Sequence, residues 1–215
     1  MGYGPGMKDD ELFNPGFLLA LKSFVDVHHS IYPVNPPQGI YFEALVDRTF
    51  RAVNKPVTVI AAGGTNQPRH DIQVDGVRIS LKTETGIGTK PDAISITKLC
   101  TTEREPWDGE TLKARVVEHL SRYDIILMLR TIWGEDLVSY QLVDIPVDLL
   151  RLIAKCDPEP VGKRAGRQSL GADVYREGHV AFHVHFDGSD GKCQIRNLRV
   201  DDCKLLKKWE KKREQ

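Results

Sequence analysis

The chain has 215 residues, 40% hydrophobic and 28% charged, and its 30 Lys and Arg balance 30 Asp and Glu. That length supports one sizeable core, or one domain with an appended arm. No apolar run approaches the roughly 20 residues needed to span a bilayer, and Met1 to Asp10 lacks the basic-then-apolar pattern of a secretory leader, so a cytoplasmic protein is expected. The four cysteines, Cys100, Cys156, Cys193 and Cys203, are scattered and form no CxxC pair, so free thiols are expected rather than a zinc or disulfide framework.

Asp10 to His29 is predicted as a helix with a broad apolar face of Leu18, Leu19, Leu21, Phe24, Val25 and Val27. Asn14-Pro15-Gly16 breaks it or delays its start, and the prolines between Tyr32 and Gly39 forbid its continuation. A second helix is expected from Ile40 to Val53, with Phe42, Leu45, Val46, Thr49 and Phe50 on one face. A β region follows. Val57 to Ala62 is a short apolar strand and Gly63 to Asn66 a loop. Gly63-Gly64-Thr65 lacks the Gly-Lys-Ser/Thr ending and spacing of a phosphate loop, so no nucleotide cofactor is expected. Asp71 to Val74 and Val77 to Lys82 form a hairpin around Asp75-Gly76, which suits its tight turn. Ala93 to Cys100 is a strand, Thr111 to Ser121 an amphipathic helix and Ile125 to Thr131 a strongly apolar strand. Val138 to Val143 is a further strand, and Pro146 to Ala154 a helix. Val180 to Phe186 and Cys193 to Val200 pair across the Asp187 to Gly191 turn. No internal repeat is present. This order predicts an α/β protein with a mixed central β-sheet flanked by helices.

The chemistry-bearing stretch runs from His70 to Glu84. Side chains alternate faces along a strand, so Val77, Ile79 and Leu81 face a core. Arg78, Ser80, Lys82 and Glu84 face the other way, with Asp71 just ahead of the hairpin and in reach of that face. Phosphodiester hydrolysis needs a cation at a non-bridging oxygen, an activated water and a protonated leaving oxygen. Hard Mg²⁺ prefers carboxylates, carbonyls and water, and a nearby Lys can orient the water and offset developing charge.

This segment resembles the PD-(D/E)XK nucleases, whose signature is an Asp at the start of a hairpin followed by acid-x-Lys on the next strand. The likeness is strongest to the MutH-like enzymes, which include restriction endonucleases and a repair nickase. Asp71 followed by Gly76-Val77-Arg78-Ile79-Ser80-Leu81-Lys82-Thr83 carries it. Gly39 to Val46 resembles the family's preceding helix, with Glu43 in the acidic position, and the likeness covers about residues 39–130. Asp…x-Lys alone recurs by chance; the combination with a helix acid, a hairpin and the following helix and strand is what distinguishes it.

The resemblance implies a restriction-endonuclease-like core and a type II restriction endonuclease cutting double-stranded DNA with Mg²⁺ to leave 5′-phosphates. A MutH-like nickase and an inactive DNA-binding protein on the same fold are the rivals. Asp71 is then a metal ligand and Lys82 positions the water. The family's acid before x-Lys is Ser80 here, so Glu84, Glu43 or Glu103 must replace it. Glu43 and Glu84 are the preferred secondary acids. The whole chain is read as one nuclease domain, with residues 1–38 a helical arm, 39–145 the catalytic core and 146–215 the DNA-recognition part. Palindromic cutting commonly uses a homodimer, while monomers occur among MutH-like restriction enzymes.

Charge distribution bears on recognition. From Val161 onward 13 Lys and Arg stand against 8 Asp and Glu, leaving 17 against 22 in the first 160 residues. A basic third beside an acidic remainder fits a phosphate-facing part joined to a carboxylate-bearing one. Lys163, Arg164, Arg167 and Gln168 form a basic loop without an acid. Lys192, Arg196, Asn197 and Arg199 form a second group, and both are candidates for DNA contact. His183 and His185 share a strand face, read as polar surface near DNA rather than a metal site. Lys204 to Arg213 is expected to be a solvated tail.

Overall fold

The computed structural model describes residues 11–59, 71–162 and 166–213. Helix α1 spans Pro15–Ile31 and α2 spans Ile40–Ala52. Asn14 caps α1, its side-chain oxygen accepting from the Phe17 amide at 3.0 Å, a contact worth about 1 kcal/mol. Pro15 suits the first turn because its missing N–H would be unpaired there anyway. Asn14-Pro15 therefore starts this helix rather than interrupting it. The buried face is Phe17, Leu21, Val25 and His29, one residue per turn. Leu19 and Val27 are exposed, so the apolar face is narrower than expected.

The remaining elements are β1 (Val57–Val59), β2 (Ile72–Val74), β3 (Val77–Glu84), β4 (Ala93–Thr101), α3 (Gly109–Leu120), β5 (Ile125–Trp133) and β6 (Leu137–Ile145). Helix α4 (Val147–Arg151) continues as a 3-10 turn, Leu152–Lys155, before β7 (Glu159–Val161), β8 (Ser169–Arg176), β9 (His179–Asp187), β10 (Lys192–Arg199) and β11 (Lys204–Lys212). The chain is a mixed α/β protein, but the single central sheet is corrected to two. One has six strands in the order β1-β2-β3-β5-β6-β11, with β3 and β5 parallel and the other pairs antiparallel; the other has five antiparallel strands in the order β4-β10-β9-β8-β7. The reason lies in β3, which already pairs with β2 on one side and β5 on the other. No edge is left for β4, which crosses to the second sheet.

Alternation along β5 divides the core. Ile125, Leu127 and Leu129 pack with Val77, Ile79 and the inner faces of α1 and α2. Ile126 and Met128 point the other way, toward α3 and the five-stranded sheet. The six-stranded sheet is thus covered on both faces, which is why β5 reads as a continuous apolar run.

Two regions depart from the sequence expectation. Strands β7 and β8 have no counterpart in it. The Lys204 to Arg213 segment is not a solvated tail: β11 pairs along β6, and its Trp209 is buried, stacked on Tyr140 with ring centroids 5.3 Å apart. No helix among the described residues is long and apolar enough to cross a membrane.

Candidate active site

The β2–β3 hairpin turns at Asp75 and Gly76, both at positive φ (49° and 81°), the conformation of a tight two-residue turn. Its register pairs Ile72 with Ile79, and the Asp71 amide donates to the Ile79 carbonyl at 3.0 Å. Asp71 is therefore held opposite Ser80. Its Oδ2 accepts from the Leu81 amide at 2.5 Å and from the Ser80 hydroxyl at 3.2 Å. Ser80 is buried and Lys82 is half-buried. Lys82 lines a cleft of about 170 Å³ with Gly39, Phe42, Thr97 and Lys98, and makes no hydrogen bond or ion pair among the described residues.

Helix α2 brings Glu43 to the same place from its first turn. Burial and the neighbouring Asp71 charge push the Glu43 carboxyl above its ordinary range, while Lys82 pulls it down. The structure thus gathers Asp71, Ser80, Lys82 and Glu43 into one cluster.

Beneath it lie two residues that the sequence reading missed. The Tyr123 hydroxyl is hydrogen-bonded to His119 Nε2 and lies beside Ser80, while burial and the Asp71 charge push its own pKa up. Burial, the Lys82 charge and Arg122 bring the His119 imidazole down to about 4, so it is neutral at neutral pH. Both side chains are buried. His119 and Tyr123 thus form a buried polar pair beside Ser80, whose hydroxyl donates to the Asp71 carboxylate. The one sequence signal was their spacing of four residues at the end of α3.

Glu84 is directed elsewhere. Its Oε2 accepts from Arg130 Nε at 2.7 Å and its Oε1 from the Ser95 amide at 2.9 Å. Burial, opposed by Arg130 and Ser95, leaves its carboxyl above the ordinary range. Arg130 is itself fully buried and also donates to the Gln141 side chain and to the carbonyls of Lys90, Pro91 and Ala93. Glu84 neutralises that guanidinium. Glu103 lies in a different cleft with Arg104, Arg115 and Lys192.

Two substitutions separate these roles. Glu84→Gln should lower stability by about 3–5 kcal/mol in a denaturant melt, because it leaves a buried cation without its partner. Glu43→Gln should leave stability near wild type and raise the Mg²⁺ concentration needed for half-maximal activity. The reverse pattern would move the second acid from α2 to β3.

The described residues contain no cluster of three or more His, Cys, Asp or Glu suited to a metal. Asp71 and Glu43 supply two carboxylates whose mutual repulsion a cation would relieve. Mg²⁺ usually takes one or two carboxylates and keeps waters or phosphate oxygens for the rest. The donor set fits that ion.

Three clefts adjoin along β4. The Lys82 cleft shares Thr97 with one of about 330 Å³ that also includes Gly88, Lys90, Gln194, Arg196 and Asn197. It shares Lys98 with one of about 390 Å³ reaching Arg104, Arg115 and Lys192. The Lys82 cleft thus shares a β4 residue with each of the other two, Thr97 with one and Lys98 with the other. Lys192 pairs with Asp190 at 2.5 Å and Arg196 bonds to the Gln194 side chain at 2.7 Å. Arg199 is exposed beside Asp201 at 3.7 Å.

The basic loop is built differently. Arg167 stacks over Trp107 at 4.2 Å and donates to the carbonyls of Gly188 and Glu103. The Gln168 amide donates to the Gly162 carbonyl at 2.6 Å. Their polar atoms thus tie loops together. Lys163 and Arg164 lie outside the described residues. His183 pairs with Asp173 at 3.0 Å.

A family model described as SmaI, type II site-specific deoxyribonuclease, matches residues 11–211. The chain is also 31% identical over 158 residues to the type II restriction enzyme SmaI of Serratia marcescens. That alignment covers 72% of this chain and 64% of the relative, just under two thirds of the relative's length. No solved structure matches the chain.

Proposed function

Because the chain belongs to the SmaI family of type II site-specific deoxyribonucleases, we propose that it hydrolyses double-stranded DNA at a specific sequence, with Mg²⁺, from the cluster around Asp71 and Lys82. The observation that carries this reading is Lys82, a lysine without a hydrogen-bond or ion-pair partner among the described residues, beside a fixed carboxylate, Asp71, in a cleft that shares residues with two others bordered by cationic and amide side chains. On this reading β2, β3 and α2 form a restriction-endonuclease-like catalytic core, and β10 supplies recognition within the same folded unit.

Water attacks the phosphorus and the 3′-oxygen leaves as a hydroxyl, giving a 5′-phosphate. Asp71 and Glu43 would hold the metal, which when bound supplies Lewis-acid stabilisation of the charge building on the phosphate. Lys82 orients the attacking water and offsets that charge, an interaction strengthened where bulk water is excluded. Ser80 takes no part as a ligand; its hydroxyl fixes Asp71. Arg196 and Asn197 contact base edges and Lys192, Arg199 and Lys98 contact phosphates, since Arg and Asn can pair bidentately with bases while Lys binds phosphate as a point charge.

Digestion of phage and plasmid DNA in Mg²⁺, followed by sequencing of fragment ends, tests the proposal. Discrete fragments sharing one terminal sequence are expected. Nicked circles in place of linear product would mark a strand-nicking enzyme, and binding without cutting would mark an inactive scaffold.

A further inference from the structure

The segment that carries the chain from β3 to β4, residues 85–92, is fixed at both ends. At its start Trp133 Nε1 donates to the Thr85 carbonyl at 3.0 Å. At its end the buried Arg130 donates to the Lys90 carbonyl at 2.5 Å and the Ala93 carbonyl at 2.6 Å. Between them the Thr89 amide and hydroxyl both donate to the Gly86 carbonyl, at 3.0 and 2.8 Å, closing a turn. That turn presents Ile87, 84% exposed. Gly86 and Gly88 beside it have open space where a Cβ would stand, with no atom of the described residues within 4 Å apart from their chain neighbours.

A loop held this firmly pays no further ordering entropy when its tip is used. Its surroundings indicate the partner. Gly88 and Lys90 line the 330 Å³ cleft together with Gln194, Arg196 and Asn197, and with Glu84, which is paired to Arg130. A single apolar side chain amid cationic and amide groups is too small a patch for a protein interface, which would want several hundred Å² of apolar surface. It suits a nucleic-acid duplex, where an isolated Ile can wedge between stacked bases while neighbouring cations hold the backbone.

We propose that Ile87 is an apolar wedge that enters the DNA duplex at a base step beside the recognition cleft, with Lys90 and Arg196 gripping the strand on either side. This rests on the DNA-cleaving reading above. It assigns the β3–β4 loop the task of distorting the duplex so that a scissile phosphate reaches Lys82, and it makes the deformability of that step part of sequence choice.

The test uses the full chain in Ca²⁺, with the cleavage site first mapped on wild type. Duplexes carry 2-aminopurine or pyrrolo-cytosine, which brighten on unstacking, at each successive position of the site. Wild type should brighten one position. Ile87→Ala should abolish that rise and weaken cognate binding on the order of 10-fold or more, as expected for losing one buried isoleucine side chain. Thermal stability should be unchanged because the residue is exposed, and Ile87→Leu should restore much of the signal. Wild-type fluorescence, binding and cutting by Ile87→Ala would overturn the wedge, as would a wild type that cuts DNA but brightens no position. So would a variant that loses only self-association, which would assign the loop to a second copy of the chain. A wild type that neither binds nor cuts any duplex would instead bring down the DNA-cleaving reading itself.

Discussion

Asp71→Asn should lower the DNA cleavage rate on the order of 10³-fold or more, the size of losing several kcal/mol of metal-assisted charge stabilisation. Binding of the same duplex in Ca²⁺ should survive. One Asp71 oxygen already accepts from the Leu81 amide and the Ser80 hydroxyl. An asparagine carbonyl can keep those bonds, which turns its NH₂ toward the position a cation would take. The variant should therefore fold with the hairpin intact while the site loses a charge and its outward oxygen. Single-turnover cutting with enzyme in excess, beside a gel-shift titration in Ca²⁺, separates the two effects. Near-normal cutting would remove Asp71 from the catalytic cluster.

Lys82→Ala should slow the same single-turnover rate by on the order of 10²-fold, the usual loss for a group that handles a proton or a developing charge. Its amine has no partner among the described residues. Removing it strands no buried carboxylate, and the melting temperature should hold. Glu43, whose carboxyl Lys82 pulls down, should rise further in the variant. Lys82→Arg should rescue poorly, because a guanidinium is planar and bulkier and does not give up its proton. A folded Lys82→Ala protein cutting at the wild-type rate would reduce the hairpin to scaffolding.

The grouping of Asp71, Ser80, Lys82 and Glu43 was legible because its members obey local rules. Asp75-Gly76 announces a tight turn, alternation after Val77 sets Ser80 and Lys82 on one face, and the turn brings Asp71 opposite Ser80. Glu43 sits on a helix whose period is plain. Glu84 shows the limit of such rules. Parity places it with Lys82, yet its partner is Arg130, 46 residues away on β5. A buried arginine inside an otherwise apolar strand was a signal that it needed a carboxylate, since a buried charge must be paired. His119 and Tyr123 were hidden differently: their spacing was visible, but their place beside Ser80 exists only once α3 lies across the sheet.

The strands that escaped notice share a cause. In β8, Gly171 and Asp173, both poor strand formers, sit between the apolar positions, and β11 carries Lys204, Lys207, Lys208, Lys211 and Lys212 among its nine residues. Such a composition reads as tail because charged residues suit an edge strand as well as they suit disorder. Arg167 has contacts that its sequence setting did not announce: its guanidinium stacks on Trp107 and donates to two carbonyls.

Strand β11 also bears on how the protein is made. Strand β6, with Val138, Tyr140, Leu142 and Val143 all buried, has β11 as its outer neighbour, and their register joins Asp144 to Lys204 and Leu137 to Lys212. A nascent chain that has emerged only as far as Arg199 offers that apolar strand, with its hydrogen-bonding groups open, to any extended segment nearby. The lysine-studded strand is the cover, and it is synthesised after every residue of the Asp71–Lys82 cluster. Translation thus leaves an interval in which that cluster has been made but the sheet that supports it has a sticky, unfinished rim. Truncation anywhere before Lys204 makes that interval permanent, and such fragments are expected in the insoluble fraction rather than as small active nucleases.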